Sequence, residues 1–114
     1  RNDPYAIRAA LMLGLVAGCF LGIRREHATL VIDPVLPSRL DGLCATLRVA
    51  QHEVELLLHV GPLGHGPTHV ELNGNPLAFT RGANPYRTGA AEVPMQAVRS
   101  ALHDGINRLV VRLN

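Results

Sequence analysis

The chain of 114 residues has no lysine and no tryptophan. Its 11 basic residues are therefore all arginines, set against 9 acidic ones for a formal charge of +2. A codon bias towards arginine accounts for this without any function. Among the arginines only Arg24 and Arg25 are adjacent, and no basic run is interleaved with aromatics. That excludes the concentrated cationic face of a nucleic-acid binder. Aromatic residues make up 4% of the chain, so a core must be built from Leu, Val, Ile and Ala. The two cysteines, Cys19 and Cys44, are too few for a disulfide scaffold and read as reduced, buried, small hydrophobes. Ser38 and Ser100, the only serines, lack the Gly-x-Ser-x-Gly setting of a nucleophile elbow. The sequence contains no Asn-x-Ser/Thr acceptor site for N-glycosylation.

What is present falls into two parts that meet at Leu30-Val31-Ile32-Asp33-Pro34-Val35-Leu36-Pro37. Before this stretch, Ala9 to Ile23 carries no charge. Asp3 can cap a helix and Pro4 suits its first position. The spacing predicts a helix apolar on every face, with Gly14, Gly18 and Gly22 along nearly one side. A membrane span wants about 20 apolar residues. A signal peptide wants a small-residue cleavage site, which Gly22-Ile23-Arg24-Arg25-Glu26 does not offer. The reading preferred here is a core helix of a larger helical domain. Gly22 would end that helix, and Arg24 and Arg25 would sit near its negative end. A membrane or signal segment, and a helix packed on its own β domain, stay open as alternatives. A chain that begins at Arg1 reads as a fragment or a processed product.

After Arg24 to Ala28, read as a polar turn, the period becomes two. Thr29 to Ile32 is a β-branched strand stopped by Pro34 and Pro37. Leu43, Ala45, Leu47 and Val49 alternate with Cys44, Thr46 and Arg48, predicting one buried face. With Gln51-His52 as the turn, Val54, Leu56 and Leu58 return as the partner strand. Gly61 to Pro67 is a loop, and Thr68 to Leu72 a strand. Asn73-Gly74 is a tight hairpin turn, with Pro76 to Phe79 returning. Thr80 to Ala91 reads as irregular. Gln96 to Leu102 has the spacing of a short helix, and Ile106 to Leu113 of a last strand. These elements predict a mainly β fold: a small antiparallel β-sandwich, jelly-roll-like, preceded by one long apolar helix.

Candidate sites are few. In Gly61 to Thr68 the glycine spacing suggests a phosphate loop, but Pro67 stands where lysine should be, and no strand opens into a helix. His65 and His69 are four apart, a ligand spacing that works on a helix, which Gly66-Pro67 forbids. His59 could join them, but no metal is expected. His27, His52 and His103 fall in turns and read as solvated. Asp33, at a strand end before proline, reads as a loop carboxylate accepting backbone hydrogen bonds rather than a catalytic acid. Asn84, Tyr86 and Arg87 combine an amide, an aromatic face and a guanidinium, a set able to hold a sugar. The plainer alternative for them is an ordered loop.

Several pieces, in order, resemble the C-terminal region of glycoside hydrolase family 94. They are Phe20-Leu21-Gly22-Ile23-Arg24-Arg25, Thr29 to Pro37 and Leu40-Asp41-Gly42-Leu43. Val70-Glu71-Leu72-Asn73-Gly74 and Asn84-Pro85-Tyr86-Arg87-Thr88-Gly89-Ala90 follow. That family contains cellobiose- and chitobiose-type phosphorylases and the phosphorylase-like part of cyclic β-1,2-glucan synthases, and the last piece looks most like the synthase branch. The resemblance implies the last helix of an (α/α)6 barrel plus connecting turn over residues 1–27, and a C-terminal β-sandwich over 28–114. The family's Thr/Ser-Gly pair, which helps bind phosphate before the last helix, has no counterpart in Arg1-Asn2-Asp3-Pro4-Tyr5. No catalytic residue and no cofactor is therefore carried over. The resemblance implies a non-catalytic piece of a cytoplasmic, carbohydrate-active bacterial enzyme, associated with the inner membrane at most through its parent. Its expected partners are the parent's catalytic barrel and β-glucan, not nucleic acid or membrane. The alternatives are a free-standing carbohydrate-binding sandwich using Asn84, Tyr86 and Arg87, and a β domain tethered by the apolar run.

Overall fold

The computed structural model describes residues 21–83 and 89–114. The long helix expected before Gly22 lies outside them. Among the described residues the fold has nine strands and one α-helix. One sheet contains β1 (Ile23–Glu26), β2 (Thr29–Ile32), β8 (Ala91–Pro94) and β7 (Thr80–Arg81), in that spatial order. The other contains β3 (Leu43–Val49), β4 (His52–His59), β9 (Asn107–Leu113), β5 (Pro67–Leu72) and β6 (Asn75–Pro76). Helix α1 (Met95–Ala101) follows β8 directly and packs on β8 and β2. Among the described residues no helix is long and apolar enough to cross a membrane.

The alternation read from sequence is the alternation that buries. Leu43, Ala45, Leu47 and Val49 of β3 face inwards with Val54, Leu56 and Leu58 of β4. Leu109, Val111 and Leu113 of β9 and Val70 and Leu72 of β5 continue that layer. Leu30 and Ile32 of β2, Ala91 and Val93 of β8, and Met95 and Val98 of α1 join the same cluster. Aliphatic side chains thus fill the space between two sheets, as the shortage of aromatics requires. Leu21 and Ile23, the end of the apolar run, are buried in this core as well.

Four local expectations need correction. The polar turn read over Arg24 to Ala28 is mostly strand: Ile23 to Glu26 pair with Ile32 to Thr29, and only His27-Ala28 turn. Gly22 has a positive φ of 71° and immediately precedes β1; the helix it was expected to end lies outside the described residues. Arg24, Arg25 and Glu26 are charged and exposed, which suits an edge strand as well as a loop. Secondly, the β3–β4 turn is Ala50-Gln51, both at positive φ, which brings His52 into β4. Thirdly, Cys44 is exposed on the outward face of edge strand β3 and not buried; Cys19 lies outside the described residues. Fourthly, β6 covers only Asn75–Pro76, after which the chain crosses to the other sheet, and β7 and β8 form at the ends of the stretch read as irregular.

The fold is also not purely antiparallel. Strand β9 runs parallel to β4 and antiparallel to β5. Alternation gives the buried face of a strand but not its direction, so the sequence pattern is blind to this insertion. A parallel neighbour needs a long crossover, here everything from β5 to α1.

Asn107, the first residue of β9, holds the crossover in place. It is the only fully buried polar residue among those described. Its Oδ1 accepts from Asn73 Nδ2 at 2.8 Å and from the His103 backbone N–H at 2.9 Å. Its Nδ2 donates to the carbonyls of His103, Gly105 and Glu53 at 2.9, 3.3 and 3.4 Å. Asn73 in turn donates to Ala101 O at the end of α1 and accepts from Arg108 N–H, each at 2.9 Å. Replacing Asn107 with Leu leaves the half-buried Asn73 Nδ2 and the His103 N–H without this acceptor, at about 1–3 kcal/mol each. Urea denaturation of Asn107→Leu should show a loss of roughly 3–5 kcal/mol, whereas Asn75→Ala in the exposed β6 should stay within about 0.5 kcal/mol.

Candidate functional site

The stretch where the two parts of the sequence meet forms one corner of the fold. Past β2, Asp33 donates its backbone N–H to Gly22 O at 2.7 Å, extending the β1–β2 ladder by one bond. Asp33 thus belongs to a backbone joint. Pro34 is buried and ends the strand, and Val35 projects into solvent at 57% exposure. Leu36 returns to the core, and its N–H donates to Gly64 O at 2.8 Å. Across that bond lies the loop Gly61 to Gly66, with Leu63 at 56% exposure.

This loop is pinned from both sides. The N–H groups of Leu63 and Gly64 donate to Asn114 O at 3.1 and 3.0 Å, and Asn114 N–H donates back to His65 O at 3.1 Å. Gly64 has φ of 74°, and a Cβ there would overlap Leu36 O. Val35 and Leu63 are therefore held on two segments that touch through backbone. Large exposed apolar side chains are otherwise represented, among the described residues, by Ile106 alone. Sequence reasoning read this loop as a rejected phosphate site and passed over Leu63. The available signal was a single aliphatic residue set between Pro62 and Gly64 in an otherwise polar turn.

The residues singled out for sugar binding, Asn84, Tyr86 and Arg87, lie outside the described residues. The flanking backbone forms a narrow neck. Gly82 N–H donates to Ala90 O at 2.8 Å, and Arg81 donates through its guanidinium to Gly89 O at 3.0 Å. Arg81 also lies 5.3 Å from the Phe79 ring centroid, a cation–π distance.

The histidines do not gather. His59 is 3.6 Å from Asp41, and His69 is 3.2 Å from Glu71. The His65 ring has a buried Nδ1 with no hydrogen-bond partner. His52 pairs with Ala50 O at 2.9 Å, and His103 is exposed with its Nδ1 at 2.7 Å from Asp104 O. Among the described residues no three His, Cys, Asp or Glu side chains converge on a point.

A sequence profile described as glycoside phosphorylase C-terminal domain matches residues 22–109. The chain belongs to this family. The match begins at Gly22, beside the joint, and covers both sheets. A 1,2-beta-oligoglucan phosphorylase from Listeria innocua serovar 6a is 31% identical over 90 residues. That alignment takes in 79% of this chain and 8% of the relative. The chain thus spans a small fraction of the length of the curated relative it matches. The resemblance of the ordered motifs to the C-terminal region of family 94 agrees with both matches.

The glycine at the corner is the feature of this family member most open to a direct check. Gly64→Ala meets both a left-handed backbone and the Leu36 carbonyl, whereas Gly42→Ala, at φ of 87°, meets open space. Strain alone should cost each about 1–2 kcal/mol, and the overlap should add about 1–3 kcal/mol at Gly64 only. Equal losses in urea titration would contradict the packing described.

Proposed function

We propose that this chain is the non-catalytic C-terminal sandwich of a β-glucan-active, phosphorylase-like enzyme, and that it braces the enzyme's helical barrel through the Val35–Leu63 corner. The family match supports the first half: this domain is named for its place at the C-terminal end, and it corresponds to 8% of a phosphorylase relative. The observation that carries the second half is the position of the corner. The chain enters the described fold at Leu21-Gly22, and Gly22 O accepts the N–H of Asp33, two residues before Val35. In this reading, a segment that precedes the domain in a longer polypeptide would be tethered close to Val35.

The arrangement suits a brace. An exposed Val or Leu gains about 1.5–3 kcal/mol on full burial against a partner. Gly64, Asn114 and the two prolines of the joint hold the anchors rigidly, so little order has to be imposed on docking. The segment before Leu21, read as part of a last barrel helix, would be the covalent part of the same connection.

Two measurements check this. The isolated chain, given β-glucooligosaccharides and inorganic phosphate, should release no sugar phosphate; sustained turnover would overturn the non-catalytic assignment. Val35→Asp combined with Leu63→Asp should leave the melting temperature of the isolated chain nearly unchanged, because both side chains are exposed. In the longer polypeptide that this reading requires, the same pair should lower thermal resistance by several degrees. An unchanged long polypeptide would remove the corner as the docking surface.

A further inference from the structure

The outward face of the five-stranded sheet carries an open groove of about 480 Å³. Its floor is the meeting of β4, β9 and β5, where β9 pairs with a neighbour on each side. Glu55 and Arg108 are register partners on β4 and β9, joined by a 3.1 Å ion pair. Val110 is the next outward residue of β9, and it sits opposite Glu71 of β5. Ile106, 64% exposed, forms an aliphatic wall at one end, beside Asn73 and Gly74.

We infer that this groove is a binding site for a short, neutral gluco-oligosaccharide. The volume lies within the range of about 300–1,000 Å³ typical of small-molecule sites. The polar groups suit an uncharged polyhydroxyl ligand better than an ion. Glu55 and Arg108 already offset each other, and Glu71 has His69 at 3.2 Å. A phosphate would meet two carboxylates for one guanidinium. A cationic ligand would meet the guanidinium in the middle of the floor. Sugar hydroxyls can donate to Glu55 and Glu71 and accept from Arg108, whose guanidinium has more N–H donors than its one ion pair uses. Ile106 and Val110 supply the apolar contact that the C–H face of a pyranose requires. All of these side chains stand on strands or beside the buried Asn107 clasp, so the backbone that carries them is fixed before a ligand arrives.

The choice of a glucan rests on the phosphorylase family reading, while the site itself rests on the groove. In this role the domain holds a stretch of the parent's substrate away from the place where bonds are broken.

The test is a titration of the isolated chain with β-1,2- and β-1,4-linked glucooligosaccharides, followed by amide NMR. Millimolar sugar of either linkage should shift Gly74, Ile106, Arg108 and Glu71. Ile106→Ala and Glu71→Gln should each weaken binding about fivefold to tenfold with the melting temperature preserved. The groove assignment fails if no sugar shifts these amides, or if the shifts map elsewhere and ignore both substitutions. That result is separable from failure of the brace, which is read from the Val35 and Leu63 variants without any sugar.

Discussion

One buried amide holds the fold's least local connection in register. Strand β9 has to enter between β4 and β5 after the chain has built most of the second sheet and α1. Alternating aliphatics make β9 a strand, but an error of one residue would turn Leu109, Val111 and Leu113 outwards. Asn107 specifies the register. Its carbonyl and amide meet five groups drawn from β4, the β5–β6 turn and the loop after α1. No shifted register satisfies all of them, and a buried amide left unsatisfied is costly.

The consequences run to both ends of the molecule. At one end the clasp fixes Asn73, Ile106 and Arg108, and so the edge of the groove on the outer sheet face. At the other, β9 ends at Leu113, and Asn114 pins the Gly61–Gly66 loop against Leu36. The corner that presents Val35 and Leu63 is thus coupled to the same strand. Both surfaces on which the proposed accessory role depends are thus tied to β9.

Much of the fold could be read from the sequence because its signals were local. Period-two alternation identified β3 and β4 and their buried face, Ile106 to Leu113 read as a last strand, and Asn73-Gly74 marked its turn. What was missed depends on partners distant in sequence. The parallel β4–β9 pairing leaves no local trace. Arg24, Arg25 and Glu26 looked like a loop because an exposed edge strand and a loop tolerate the same charges. Nothing local singles out Asn107 within the last strand, since its burial depends on Asn73 and Glu53. The candidate site was less legible still. The family came from the order of short motifs, whereas the corner and the groove come from residues brought together by topology. Asn84, Tyr86 and Arg87, the set chosen for chemistry alone, fall outside the described residues.

The central claim is that the Asn107 clasp opens only when the whole domain unfolds. Native-state amide hydrogen exchange tests it directly. The His103 and Arg108 N–H groups donate to the side chains of Asn107 and Asn73. They should exchange with the same free energy as the core amides of Leu109 and Val111, equal to the global stability from denaturation. Exchange of His103 and Arg108 at the rate of an exposed turn, with β9 still protected, would contradict the account.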